Sequence, residues 1–325
     1  RTGYVNQGWS SKKNSEKATA KAKCTVNKNI TLYAVQKKAV QLTFHRCDGS
    51  TWQKTTLAKG SSYSLPGVRD AEGYTFMGWS TKPMQSVSPQ YEAEEKITVN
   101  GNVDLYAVVF NRTTETDLTE DQLPQVDIYK YKQVIFVGDS RTEFMENVLT
   151  GMGESATKNV KFVCSAGKGL DWFTTTGWAQ LYSIVQHDSN SILSKKTAVI
   201  FNFGVNDLSK SADYAEYYNW IAPQLKSKGC ELYFMSVNPV NRLMLPNAGR
   251  ADRSEAAVRS FNQYMKANLS SAYTYIDMYS YLKSTGYSFA SDHYGTGTVD
   301  DGLHYTTRTY KRIFAKCMDS LRVPA

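Results

Sequence analysis

From Gln133 onward, short runs of β-branched and aromatic residues alternate with stretches long enough for helices. The runs are Val134 to Val137, Val160 to Cys164, Ala198 to Phe203, Leu232 to Val237 and Tyr273 to Ile276. Parallel strands are buried on both faces and need crossover connections, so unbroken apolar runs at this spacing predict a parallel α/β sheet. The connecting stretches carry helical stripes. One holds Phe144, Met145, Val148 and Leu149, and another Ala257, Val258, Phe261, Tyr264 and Met265.

The first third of the chain has a different texture. Gly3-Tyr4 with Gly8-Trp9-Ser10 recurs 70 residues later as Gly73-Tyr74 with Gly78-Trp79-Ser80. Val26-Asn27 and Leu32-Tyr33-Ala34-Val35 recur 73 residues later as Val99-Asn100 and Leu105-Tyr106-Ala107-Val108. This is an internal repeat with a short insertion. Only the second copy has a front half, where Val40, Leu42 and Phe44 alternate with polar residues as a half-buried strand does. The expected division is a partial repeat over 1–38, a complete strand-rich repeat over 39–110, a polar linker over 111–132 and the α/β domain over 133–325. Trp9 and Trp79 are expected to pack in the repeat cores.

The net charge of +8 is confined to one segment. Residues 1–38 hold nine Lys or Arg and one acidic residue, and the remainder balances at 29 of each sign. An electrostatic partner is therefore expected only of that segment, an anionic cell-wall polymer being the candidate and nucleic acid not. Five cysteines lie far apart with no C-x-x-C pair, so neither a disulfide framework nor a zinc site is read. No apolar run approaches the roughly 18 residues a membrane span needs. The chain opens on Arg1 without a signal-peptide pattern and reads as a processed piece.

In open parallel sheets, reactive groups gather at the carboxyl ends of the strands. Here the first strand runs into Gly138-Asp139-Ser140, the second into Ser165-Ala166-Gly167-Lys168-Gly169, and the third into Gly204-Val205-Asn206-Asp207. Ser140 would open a helix, where free N–H groups and the dipole favour negative charge, but a serine needs a base. Of four histidines, His45 lies in the repeat and His187 reads as a helix C-terminus, leaving His293 as the rival to His304. In Asp301-Gly302-Leu303-His304 the carboxylate can fold back onto the imidazole, fix its tautomer and leave the other nitrogen for the serine. Asp139 and Asp207 are expected to hold loops through backbone hydrogen bonds.

Taken together, G-D-S, a glycine after the second strand, G-x-N-D and D-x-x-H resemble the block pattern of SGNH hydrolases, also called GDSL esterases and lipases, over about residues 133–321. The resemblance implies a flavodoxin-like three-layer α/β/α fold and a cofactor-free serine esterase. It assigns Ser140 as nucleophile, His304 as base, Asp301 as the residue that orients it, and an oxyanion hole from Ser140, Gly167 and Asn206, with Gly169 as the alternative glycine. Arg141 stands where the family name has Leu. Arg141, Trp172, Asn238 and Arg242 are the candidate substrate contacts. The repeat pattern G-Y-x-F-x-G-W-S followed by N-V-x-L-Y-A-V resembles the Listeria-Bacteroides repeat, a β-grasp-like unit of the internalins. It implies an extracellular or cell-wall location in a Gram-positive bacterium.

No G-x-S-x-G elbow, H-E-x-x-H, P-loop or Rossmann fingerprint occurs, so neither metal nor nucleotide cofactor is expected. The expected reaction is hydrolysis of short acyl esters, O-acetyl foremost, on carbohydrate or peptidoglycan. Two other readings stand beside it: a surface-binding protein with a silent hydrolase domain, and a lipase or thioesterase for longer chains.

Overall fold

A computed structural model describes residues 2–20, 23, 25–126, 130–187, 196–245, 253–290 and 301–321. They fold as two units, Arg1–Pro66 with Met77–Val109, and Gly67–Phe76 with Phe110–Ala325.

Strands make up the first unit and its borders: β1 (Tyr4–Ser10), β2 (Tyr33–His45), β3 (Thr51–Ala58), β4 (Ser61–Ser64), β5 (Tyr74–Ser80), β6 (Lys96–Val99) and β7 (Val103–Asn111). The sheet order is β1-β2-β7-β5 with β3 also on β2, while β4 and β6 form a separate ribbon. The pair β2 and β7 is parallel, and β2 pairs antiparallel with β1 and β3. One strand, β2, closes the first repeat copy and opens the second without a break.

Both copies repeat the same backbone bridge, Trp9 to Ala20 and Trp79 to Tyr91. Their indoles differ. Trp79 is wholly buried, 4.8 Å from Phe44, stacked on Trp52 at 5.9 Å, and donates through Nε1 to the Pro66 carbonyl at 2.9 Å. Trp9, expected in a core, is 40% exposed. Counterparts of Phe44 and Trp52 for this copy are not among the described residues.

The second unit contains β8 (Tyr131–Gly138), α1 (Ser140–Thr150), α2 (Glu154–Thr157), β9 (Val160–Cys164), α3 (Leu170–Trp172), α4 (Trp178–His187) and β10 (Lys196–Asn202). It continues with α5 (Ser211–Ser227), β11 (Cys230–Met235), α6 (Glu255–Asn268), β12 (Tyr273–Ile276), α7 (Met278–Thr285) and α8 (Thr307–Ser320). All strand pairs are parallel, in the order β12-β11-β10-β8-β9. That is the flavodoxin-like order. Alternate residues of the central strands face different helical layers. Ile135, Val137, Val199 and Phe201 share a core with Phe173, Leu181 and Tyr218, while Phe136 meets Phe314 of α8 at 5.8 Å. The stripe on α6 buries Val258, Phe261 and Met265, but Tyr264 is 38% exposed. Among the described residues no helix is long and apolar enough to cross a membrane.

Residues 111–126 are more than a tether. Buried Glu115 accepts hydrogen bonds from Ser288, Thr309 and Arg312, and Asp117 pairs with Lys311 at 2.7 Å, which fastens the segment to α8. The strand order reverses between β8 and β10, which stay paired up to Gly138 and Asn202, and the residues considered next lie at or beyond the carboxyl ends of these strands.

Candidate active site

Gly138 ends β8 where backbones crowd, since a Cβ there would lie 2.9 Å from the Asn202 carbonyl. Asp139 then caps α1. Its side chain accepts from the Arg141 amide at 3.0 Å, and its carbonyl accepts from the amides of Thr142 and Glu143. Ser140 is thereby the first helical residue, and its amide has no acceptor within the helix.

The partner loop is built locally. Gly302 adopts a positive φ of 64°, which turns Asp301 back on its neighbours. Asp301 Oδ1 accepts from the amides of Leu303 and His304 at 2.9 and 2.7 Å, and Oδ2 accepts from His304 Nδ1 at 2.6 Å. The proton is therefore on Nδ1, and Nε2 accepts from Ser140 Oγ at 2.9 Å. Asp301 and His304 are fully buried and Ser140 is 4% exposed. Phe144 stands edge-on to the imidazole with ring centres 4.5 Å apart. The structure thus brings Ser140, His304 and Asp301 into one hydrogen-bonded chain. His293 lies outside the described residues.

Asn206 directs Nδ2 to the Lys168 carbonyl at 2.7 Å, which seats it against the Ser165 to Gly169 turn. The turn is held from α1 by Glu143, which accepts from the Ala166 amide at 2.6 Å. Gly167 has a positive φ of 71° and open space at its Cβ position, whereas Gly169 is extended and faces the Asp207 carboxylate too closely for any side chain. Asp207 accepts from the Leu170 amide at 2.9 Å and the Tyr214 hydroxyl at 2.7 Å, the loop-holding part read for it.

Residues 134–317 match the family model of GDSL-like lipases and acylhydrolases. The chain belongs to this family. Residues 1–35 and 41–108 match the Listeria-Bacteroides repeat domain. No curated protein sequence matches the chain. Among solved structures, a putative acylhydrolase from Bacteroides fragilis is 16% identical, covers 62% of this chain and 92% of its own, and has a TM-score of 0.38. An acetyl xylan esterase is 10% identical, with coverages of 58% and 100% and a TM-score of 0.39. The C-terminal catalytic domain of a Streptococcus pneumoniae peptidoglycan O-acetyltransferase is 17% identical, with coverages of 59% and 92% and a TM-score of 0.34.

In this acylhydrolase the four candidate substrate contacts differ in burial and in partners. Arg141 is 2% exposed, and its guanidinium donates to the carbonyls of Leu303 at 3.0 Å, Asn238 at 2.9 Å and Pro239 at 2.9 Å. It ties α1 to the residue before His304 and to the segment after β11, and it packs on Tyr305. Asn238 is buried as one of its acceptors. Trp172 packs towards Phe203 at 6.1 Å, on the edge of the core. Arg242 alone of the four is exposed, next to Asn241, whose amide donates to the Gly302 carbonyl at 2.8 Å. Sequence reading missed the bracing by Arg141 and Glu143. The arginine in place of leucine was the visible signal for the first.

Two predictions follow from this bracing. Arg141→Met leaves the buried carbonyls of Leu303 and Asn238 without a donor, while Pro239 keeps the Tyr305 hydroxyl, and is expected to cost about 2–5 kcal/mol in denaturant unfolding. It should lower kcat with little change in KM, and Arg141→Lys should recover only part. A raised KM at unchanged stability would instead make Arg141 a substrate contact. The second concerns Asp139, whose carboxyl is pushed up to about 6 from 3.8, chiefly by burial, against the pull of Arg141. Between about pH 4 and pH 6 the unfolded chain releases this proton while the folded site keeps it, so stability falls across that window as pH rises. Asp139→Asn should remove that part of the slope when Tm is followed against pH. Parallel curves for the two proteins would contradict it.

Proposed function

We propose that this acylhydrolase cleaves short acyl esters, O-acetyl groups foremost, on carbohydrate or peptidoglycan through an acyl-enzyme on Ser140. The observation that carries the reading is the chain from Asp301 through His304 to Ser140, at 2.6 and 2.9 Å. Ser140 Oγ attacks the ester carbonyl while its proton passes to His304 Nε2. The imidazolium, held by Asp301, gives that proton to the departing alcohol. Water then loses a proton to His304, attacks the acyl group and releases the acid and free Ser140. The oxyanion is stabilised by the Ser140 amide, an amide of the Gly167 to Gly169 turn and the Asn206 side chain.

Short acyl groups suit a small recess. The one beside Asn206, about 360 Å³, is bordered by Val205, Leu208 and Ala257 as well as Asp207, Ser209 and Arg253, and its surface is mainly apolar. A long chain needs an extended apolar channel, since each buried methylene contributes about 0.8 kcal/mol. Listeria-Bacteroides repeats occur in surface proteins, which supports a substrate outside the cell. In the first unit, a groove bordered by Lys37, Lys38 and Lys59, with Glu16 as the acidic residue among its lining, offers net positive charge to an anionic wall polymer.

The direct test is kcat/KM over nitrophenyl esters from acetyl to long-chain, then acetate release from acetylated glycans. Ser140→Ala and His304→Ala should each remove nearly all activity with the fold intact. Preference for chains of eight or more carbons would move the protein to the lipases, and activity surviving Ser140→Ala would overturn the mechanism. For the wall contact, replacing Lys37, Lys38 and Lys59 by Gln is cleaner than truncation at residue 38, which would cut β2. Sedimentation with purified cell wall should weaken steeply with salt and with this substitution. Binding unchanged by both would leave the lysines as a solvated face.

A further inference from the structure

An asparagine amide has a donor end and an acceptor end of nearly the same shape, yet only the donor end can stabilise an oxyanion. An inverted Asn206 would present a carbonyl to the developing negative charge. Something must therefore fix its polarity. Two neighbours do, and they act at opposite ends. Arg253 donates through Nη2 to Asn206 Oδ1, and the Lys168 carbonyl accepts from Nδ2 at 2.7 Å. A guanidinium has donors only, and a peptide oxygen accepts only. Turning the amide over would set donor against donor and acceptor against acceptor.

Arg253 is itself held. Its Nε donates to the Val205 carbonyl at 2.9 Å, so the same group grips the backbone just before Asn206 and the side chain of Asn206. The next residue, Ser254, caps α6 by accepting from the Ala257 amide at 3.0 Å, and α6 is seated in the core through Val258 and Phe261. A charge-assisted hydrogen bond to Oδ1 also draws electron density from the amide, which makes the opposite N–H a better donor. We propose that Arg253 is a positioning residue that holds the Asn206 amide with its donor end towards the oxyanion. The proposal rests on the esterase reading above for its effect on rate, and on geometry alone for the amide orientation.

The experiment compares the full chain with Arg253→Met, Arg253→Lys, Asn206→Ala and the double variant Arg253→Met/Asn206→Ala. Arg253→Met should lower kcat roughly 10- to 100-fold with KM within about twofold, and Arg253→Lys, still a donor, should retain more activity. In the Asn206→Ala background the loss of Arg253 should add little, because the group it orients is gone. A wild-type kcat in Arg253→Met, or a loss that adds in full on Asn206→Ala, would overturn the proposal. A second measurement needs no turnover. The side-chain NH₂ pair of Asn206, assigned in ¹H–¹⁵N spectra by its disappearance in Asn206→Ala, should shift and exchange faster with solvent in both Arg253 variants, more in Met than in Lys. An unchanged pair would overturn the proposal even if no ester is cleaved, whereas hydrolysis that persists in Ser140→Ala would overturn the Ser140 mechanism and leave the amide result to stand on its own.

Discussion

A buried imidazole between a carboxylate and a hydroxyl works as a base only while both hydrogen bonds hold at once, and here the contributors come from opposite ends of one domain. Ser140 opens the first helix after β8, and His304 precedes the last helix, 164 residues later in sequence. A displacement of an ångström would break the contact between Nε2 and Oγ. The protein meets this demand with charge rather than with apolar packing alone. Arg141, adjacent to Ser140, donates to three backbone carbonyls, one of them at Leu303 beside His304. The same logic recurs at Glu143, which holds the glycine turn, and at Asp207, which holds the start of α3.

This explains which parts of the site could be read in the chain. Asp301 and His304 are legible because their geometry is local, three residues folded through Gly302. The strand ends that carry Ser140, the Gly167 to Gly169 turn and Asn206 are legible because a parallel sheet puts the ends of its strands on one edge, and periodicity marks those strands. Two of the five runs, Val160–Cys164 and Tyr273–Ile276, are the observed strands residue for residue. Arg141 reads differently in sequence and in structure because its acceptors lie 97 to 162 residues away, where no spacing rule reaches. A charged residue near a nucleophile suggests a substrate contact, and only the fold reveals the carbonyls that use up its donors.

The repeat shows the converse limit. Its motif correctly marks two copies of one backbone bridge, yet burial of the tryptophan differs, since Trp79 is covered by Phe44 and Trp52 and Trp9 has no such cover among the described residues. The 111–132 segment likewise has a polar composition suited to a tether. Glu115 nevertheless becomes a buried anchor because Ser288, Thr309 and Arg312 converge on it from distant parts of the chain. Composition reports what a segment can do in water. It does not report the partners that make a carboxylate worth burying.

The central claim, that Asp301 and His304 activate Ser140 as a nucleophile, is tested most directly by covalent trapping. The full chain would be treated with a phosphonate ester that reacts with activated serines, then weighed intact and mapped by peptide mass spectrometry. A single adduct on Ser140, formed rapidly in the wild type and abolished or greatly slowed in His304→Ala, is the result the account predicts. An adduct on another residue, or labelling of Ser140 at the same rate without His304, would contradict it.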